Sequence, residues 1–476
     1  MSNFSPTQEQ VAIVDAFQTG ENLKVTAVAG SGKTSTLRLL GESTDKRGAY
    51  LAFNKAIQLD AEASFPSNVK ARTGHSHAFA THGRLVIDRL PGKGQRLFGR
   101  QIANILGIYD GFEVEDGSLA PSQVAPLVME MINRFSCSAD SELTTYHAPY
   151  VEGIENRSQF AAFLLPYAQK AWSDINSKNG KLTVSHDHYL KQWALTNPTI
   201  KADFILFDEA QDANPVIAKV VSDQQAQIIA VGDESQSIYG WRGAVNAMEN
   251  FPGQELTLTQ SFRFGPKIAD EANVWLDLLG APIRVKGLDS IDSKVEPCES
   301  PDAVLCRTNA ACIAEAVAGQ RNDKKVAIVG GTKDIELFTK AADRLMSQQP
   351  IDHPDLVAFK SWPEVQAYVE NDKAGADLKV RVKLIDAYGV DSILEVCVNS
   401  VDEKKADIIV STAHKAKGRE WGSVRVAHDF REPDPDVTTE VPRTDAMLSY
   451  VTVTRAKNVL DLGGLAWGRN WIKEAS

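Results

Sequence analysis

The amino-acid sequence predicts an α/β protein of two units with parallel sheets, each unit interrupted by an insertion, the first insertion mainly helical. Three observations lead there. An apolar run from Leu23 to Val28 feeds the small-residue loop Ala29-Gly30-Ser31-Gly32, and Lys33-Thr34 then opens a helical pattern carrying Leu37, Leu39 and Leu40. Two later apolar runs, Phe204 to Phe207 and Ile228 to Val231, end close to acids, Asp208-Glu209 and Asp233. The same kind of pattern restarts near Leu258, with apolar runs at Ala303 to Cys306, Val326 to Val329 and Ile408 to Val410. Short apolar runs bounded by turn residues read as buried strands.

The loop after the first strand is a phosphate cradle by its chemistry. Small residues let consecutive backbone N–H groups turn inward around an anion, Lys33 adds a point charge, and the Thr34 hydroxyl is placed to ligate Mg²⁺ at a helix N-terminus. Ala29, Gly30, Ser31, Gly32, Lys33, Thr34 and Ser35 are therefore the candidate nucleotide residues, with Ala27 where the generic pattern has its first Gly. A Gly/Ser loop ahead of a helix also serves as a plain tight turn; Gly-Lys-Thr after a strand favours phosphate. Asp208 and Glu209 close a strand, so their carboxylates point differently: Asp208 can hold Mg²⁺ through water while Glu209 orients an attacking water. A strand-end acidic pair is otherwise a solvated turn, and the cradle upstream favours hydrolysis. Phosphoryl transfer also needs positive charge at the departing phosphate, for which Arg263 and Arg455 in the second unit are the candidates.

Taken in order, the chain begins with an amphipathic helix through Val11, Ile13, Val14 and Phe17, for which Ser5 is the expected N-cap and Pro6 the first helical residue. Gln8 falls at its start, either as a solvated helix-start residue or as a side-chain amide suited to the adenine edge. Tyr50 to Ala52 reads as a strand running into the polar turn Phe53-Asn54-Lys55, and Arg72-Thr73-Gly74-His75 as a loop at a strand's carboxyl end. From about 85 to 196 the pattern is mostly helical, and His186-Asp187-His188 within it reads as a polar helix start. Residues 347–406 look polar and mixed, and 432–442 are Pro- and Asp-rich, as in a surface loop.

Composition sets limits on function. The 476 residues suffice for about three domains, and 43% apolar with 24% charged residues is ordinary for a globular protein. A formal charge of −11 supplies no global attraction for nucleic acid or anionic lipid, so a DNA path must be a local groove. Five scattered cysteines without a C-x-x-C pair point to free thiols rather than zinc or disulfides. The N-terminus lacks a signal region and no apolar run approaches ~18 residues, so a cytoplasmic location (nuclear in a eukaryote) away from membranes is expected.

Gln8, the cradle, Ala52-Phe53-Asn54-Lys55, Asp208-Glu209-Ala210-Gln211-Asp212, Gly232-Asp233 to Ala244, Arg263, Thr412 to Trp421 and Tyr450 to Ala456 stand in an order that resembles UvrD/Rep-type superfamily 1A DNA helicases. Within that family the chain looks most like the helicase core of the F-box DNA helicases. The resemblance implies two RecA-like P-loop lobes: residues 1–84 and 197–257 with a helical insertion at 85–196, then 258–346 and 407–476 with a short insertion at 347–406. It implies ATP and Mg²⁺ as cofactors, with Thr34 and Asp208 on the metal, Glu209 as base, and Lys33, Gln236, Arg263 and Arg455 on the phosphates. Gln8 and Phe262 would contact adenine and Glu420 the ribose. For single-stranded DNA it points to Phe53, Asn54, His75, Tyr239, Trp241, Arg242 and His414, since aromatic faces hold unstacked bases without reading sequence. Either ring could instead anchor a core; stacking on DNA is the favoured reading for Trp241, and the two readings balance for Tyr239. Met447 stands where many relatives have Arg, and no F-box precedes Gln8, so no ubiquitin-ligase role is expected. The implied function is 3′→5′ helicase movement on single strands and single-strand/duplex junctions, active as a monomer, with protein partners unspecified. The alternatives are a translocase that strips proteins from DNA and a nucleotide-gated DNA-binding scaffold.

Overall fold

Among the residues described, two six-stranded sheets organise the chain. The computed structural model describes all residues except 1–4, 93–96, 115–116, 152–153, 241–242, 352, 354, 357–358, 372–375, 435–437, 439 and 476. Contacts divide the chain into two compact units, residues 1–27 with 32–258 and residues 28–31 with 259–476. Both sheets are parallel throughout, as the predicted α/β class requires.

In the first unit the strand order is Val69–Thr73, Gly48–Ala52, Phe204–Phe207, Gln227–Gly232, Leu23–Ala27 and Gln254–Leu258. Gly48–Ala52 and Phe204–Phe207 are buried along their whole length, which is why they read as unbroken apolar runs rather than alternating ones. The edge strands differ: Lys70 and Arg72 face outward on one, Gln254 and Glu255 on the other, and polar, charged edges discourage further pairing. One face of the sheet packs Leu23, Val25, Tyr50 and Leu206 against Ile13, Phe17, Leu37 and Leu40 of the flanking helices. The first helix, Gln8–Phe17, is capped by Thr7 and not by Ser5. The Thr7 hydroxyl accepts from the Gln10 N–H at 3.2 Å while the Gln10 side chain accepts from the Thr7 N–H at 3.0 Å, satisfying two end groups at once and fixing the start downstream of Pro6.

The opposite face continues into the helical segment. Helices Gly99–Leu106, Pro121–Ser136, Arg157–Asn176 and His186–Ala194 place Val128, Ile132, Leu164 and Leu190 in one core with Leu51, Ile205 and Phe207 of the sheet. A small antiparallel hairpin, Phe112–Val114 with Gly117–Leu119, sits in this otherwise helical stretch. Lys191 is buried within it: its ammonium donates to the Ser138 carbonyl at 2.8 Å and to the Asp140 carbonyl, and lies 4.4 Å over the Phe135 ring. Burial pulls its pKa down to about 8. Lys191→Met would strand two carbonyls, so chemical denaturation should show a loss of about 2–3 kcal/mol; a loss under about 0.5 kcal/mol, the range of an ordinary surface substitution, would show that water replaces the amine.

The second unit's sheet runs Val326–Ile328, Ile408–Thr412, Ala303–Cys306, Trp421–Val426, Ala456–Asp461 and Lys294–Val295. The segment that reads as polar and mixed is helical over Trp362–Asn371, Ala376–Tyr388 and Val390–Asn399. Trp362, Val365, Val369, Ile385, Ile393 and Val396 join Val304, Ile313 and Phe338 in one core, so this segment is packed into the unit. Helix Pro266–Leu278 buries Glu271 and Trp275; Arg469, on the final helix Gly468–Ala475, reaches Glu271 Oε2 at 2.6 Å, and Trp467 packs edge-on against Trp275 with centroids 5.2 Å apart. No helix among the described residues is long and apolar enough to cross a membrane.

Candidate functional site

Parallel strands put all their carboxyl ends on one edge, so the turns after Ala27, Ala52, Thr73, Phe207 and Gly232 can cooperate. The helix Lys33–Glu42 begins there with Gly32 at φ 78° and no side chain capping it. That left-handed start is open to glycine at little cost, and first-turn N–H groups without a side-chain cap are of the kind that suits an anion.

Across the turn, Lys33 Nζ lies 3.3 Å from Glu209 Oε1. Burial draws the Lys33 pKa down, but the carboxylates of Glu209, Asp233 and Asp208 outweigh it and hold the ammonium above its ordinary value. Asp208 is buried, and its carboxyl is pushed up to about 6 by that burial and by the Glu209 charge, against the pull of Lys33 and a hydrogen bond from Tyr50. Its two oxygens are each engaged: Tyr50 Oη donates to Oδ2 at 2.6 Å and the Glu209 N–H to Oδ1 at 2.9 Å. Glu209 holds φ 53°, an uncommon left-handed conformation for a residue with a side chain, of the kind that collects at functional sites. Gln211 ties the cluster together, its Nε2 donating to Glu209 Oε2 at 2.6 Å and to Asp212 Oδ2 at 2.9 Å while its Oε1 accepts from the Asp233 N–H at 3.1 Å. Gln236 is buried and donates to Asp233 Oδ2. Lys33, Asp208, Glu209 and Gln236, 203 residues apart at the extremes of numbering, thus share one strand-end cluster.

These residues fit a magnesium nucleotide. The Asp208 carboxylate and the Thr34 hydroxyl at the exposed helix start are hard oxygen donors of the kind Mg²⁺ takes, and the uncapped N–H groups with Lys33 suit phosphate oxygens. When bound, the ion would neutralise charge on the outer phosphates. Ser35 is exposed beside Thr34, and Gln8 is exposed in the first turn of its helix, whereas Ser31 is buried with its hydroxyl on the Val28 carbonyl at 2.8 Å.

A cavity of about 300 Å³ runs from this cluster to the residues expected to hold DNA, lined by Asp208, Glu209, Phe53, His75, Cys137 and Tyr239 among others. The Phe53 and Tyr239 rings lie nearly parallel, 15° between planes and 6.3 Å between centroids, and Phe53 is half exposed. His75 Nε2 sits 3.1 Å from Asp187 Oδ1. Asn54 caps the helix Lys55–Ser64, its Oδ1 accepting from the Ile57 N–H at 2.9 Å. Trp241 and Arg242 lie outside the described residues. In the segment 186–188, His186 meets the Tyr189 hydroxyl at 3.0 Å, His188 meets Asn133 at 3.0 Å, and Asp187 meets His75, as befits a polar helix start.

The second unit holds the remaining candidates. Arg263 Nε donates to Glu420 Oε2 at 2.7 Å and its guanidinium also reaches the Thr454 carbonyl at 3.0 Å. Burial pushes the Glu420 carboxyl up, but Arg263 and Lys457 outweigh it and hold it below its ordinary value. Arg455 is buried, donating to the carbonyls of Val451 at 2.8 Å and Arg419 at 3.2 Å. His414 is half-buried on the short helix Ala413–Ala416, and Met447 is buried in the helix Arg443–Val453. Residues 28–31 group with this unit: the Gly30 carbonyl accepts from the Phe262 N–H at 2.8 Å and the Ala29 N–H donates to Tyr450 Oη at 3.1 Å.

Sequence reasoning assigned no role to Tyr50, Gln211 or Asp233. Gln211 and Asp233 lie in the two strand-end acidic stretches, where an amide set between Glu209 and Asp212 is the available signal. A tyrosine in a fully apolar strand was the signal for Tyr50, because a buried phenol needs a partner.

Residues 98–252 match the family model of the UvrD/REP helicase N-terminal domain. The chain is similar to F-box DNA helicase protein 1 of Schizosaccharomyces pombe, with 32% identity over 96% of this chain and 57% of that protein. It is similar to F-box DNA helicase 1 of Gallus gallus, with 29% identity over 97% of this chain and 49% of that protein. A shorter match, 35% identical over 98 residues, joins 18% of this chain to 14% of DNA helicase II of Escherichia coli. The chain thus spans about half the length of the F-box relatives it matches. The resemblance stated from the motifs holds: a UvrD/REP helicase N-terminal domain is recognisable in this chain, and its likeness to DNA helicases of that kind extends through nearly its whole length in the F-box DNA helicases.

Proposed function

We propose that this chain is an ATP-dependent DNA helicase motor that moves 3′→5′ along single-stranded DNA, with ATP and Mg²⁺ as its working cofactors. One observation carries the reading: the cavity that joins Asp208 and Glu209 to Phe53, His75 and Tyr239, so that hydrolysis and a stacked single strand would act on the same walls. In this proposal residues 1–84 with 197–257 and 258–346 with 407–476 are the two RecA-like lobes, and 85–196 and 347–406 their insertions. Lys33 would bind phosphate, Thr34 and Asp208 the metal, and Glu209 would orient the attacking water. Arg263, Arg455 and Gln236 would answer to the outermost phosphate, Gln8 and Phe262 to adenine, Glu420 to ribose, and His414 with the Phe53 and Tyr239 rings to DNA. Junctions of single and double strands are the proposed substrate, and a monomer the proposed active form.

A second reading, a translocase that strips proteins with little unwinding, is favoured by the second insertion, whose helices are packed into their own unit's core. The experiment that decides is ATP hydrolysis with and without single-stranded DNA, run beside strand separation of 3′-tailed and 5′-tailed duplexes. The helicase reading expects DNA-stimulated hydrolysis, unwinding from the 3′ tail only, and loss of both in Lys33→Ala. Stimulated hydrolysis without unwinding selects the translocase; rates that are negligible with and without DNA select a nucleotide-gated scaffold.

A further inference from the structure

We propose that Tyr50 is a positioning residue for the metal carboxylate, an inference that rests on the ATP-motor reading of Asp208. Tyr50 lies on Gly48–Ala52 and is fully buried. Its strand pairs in parallel with Phe204–Phe207 so that Tyr50 stands opposite Leu206, two residues before Asp208. Side chains two apart share a face of a sheet, and a phenol is long enough to reach diagonally along it. The result is the 2.6 Å hydrogen bond from Tyr50 Oη to Asp208 Oδ2 between residues 158 apart in sequence. The Tyr50 ring is itself held, tilted against Phe65 with centroids 4.8 Å apart, and packed among the apolar residues of the sheet face.

Three consequences follow for the carboxylate. The phenol, a donor to a carboxylate, takes one lone pair of Oδ2, while the Glu209 N–H takes one of Oδ1. With both oxygens pinned, the carboxylate plane cannot rotate, and the lone pairs left over keep a fixed direction. An acidic group buried as Asp208 is would otherwise reorient toward Lys33, the nearby cation. Partners of this kind behind a metal ligand are typically worth 10–100-fold in metal affinity or activity.

The test compares the full-length wild type with Tyr50→Phe and with Phe65→Leu, which loosens the same ring packing and leaves the hydrogen bond in place. Two measurements are read: the Mn²⁺ bound in the presence of a non-hydrolysable ATP analogue, by electron paramagnetic resonance, and the Mg²⁺ concentration that half-saturates binding of a fluorescent ATP analogue. Tyr50→Phe is expected to raise both metal requirements about tenfold, with Phe65→Leu at the wild-type value whatever its melting temperature. A Tyr50→Phe protein with wild-type metal dependence overturns the inference, even if it melts lower, because a purely structural role moves stability alone. Tyr50→Met carries the same expectation should the phenylalanine variant not fold. A wild type that hydrolyses ATP while Tyr50→Phe keeps its metal affinity defeats this inference only; a wild type with no metal-dependent nucleotide binding overturns the motor reading and this inference with it.

Discussion

Glu209→Gln should lower ATP turnover by about 10²–10⁴-fold, the span that a positioned general base contributes, while leaving nucleotide bound. The amide keeps the shape of the side chain and an oxygen for the Gln211 Nε2 that donates to Glu209 Oε2 at 2.6 Å, so the turn after the strand has no reason to refold. What goes is the negative charge 3.3 Å from Lys33 Nζ. Lys33 then presents its full charge to phosphate, and the variant should bind ATP at least as tightly as the wild type. Turnover and binding measured on one preparation separate the possibilities. Turnover within a few-fold of wild type would remove Glu209 from the chemistry, and a parallel loss of binding would make it a prop for the cradle.

Arg469→Ala should cost about 2–3 kcal/mol of stability, below the 3–5 kcal/mol of a broken fully buried pair because Arg469 itself is half exposed. Its partner Glu271 is wholly buried, and burial already raises that carboxyl above its ordinary value against the pull of Arg469. Without the guanidinium it rises further. A carboxyl whose folded pKa exceeds its unfolded one binds an extra proton in the folded state, so stability falls as pH climbs from the unfolded value through the folded one. The variant's deficit should therefore be smaller at pH 5 than at pH 8 in denaturant titrations, and Glu271→Gln introduced beside it should flatten the difference. A deficit independent of pH would mean that lost packing of the final helix, not the stranded charge, is responsible.

The parts of this molecule that a sequence exposes are those whose chemistry is contiguous. The cradle from Ala29 to Ser35 and the acids Asp208-Glu209 declare themselves because glycine, lysine and strand-end carboxylates sit side by side in the chain. The parallel α/β class followed from unbroken apolar runs, and strands such as Phe204–Phe207 are buried throughout. Pairings over long separations stayed hidden: nothing local announces that Tyr50 meets Asp208, or that Arg263 meets Glu420. The helices between 362 and 399 were obscured because their apolar residues are diluted by charged ones, so the segment reads only as polar and mixed. The cap at Thr7 was missed for a different reason, since the Ser5-Pro6 signal competes with a reciprocal Thr7–Gln10 pair that only geometry ranks.

The strand order of the first sheet also governs how the chain must be made. Gly48–Ala52 pairs on one side with Val69–Thr73, close behind it, and on the other with Phe204–Phe207. At ribosomal speeds of about 5–20 residues per second, the second neighbour emerges roughly 8–30 s after the first strand, once the whole helical segment has passed. For that interval an apolar strand has one edge unpaired, and an edge of that kind recruits other chains. Over that interval the nascent protein holds a cradle without its carboxylates, and strand Leu23–Ala27, whose two neighbours are Gln227–Gly232 and Gln254–Leu258, waits longer still.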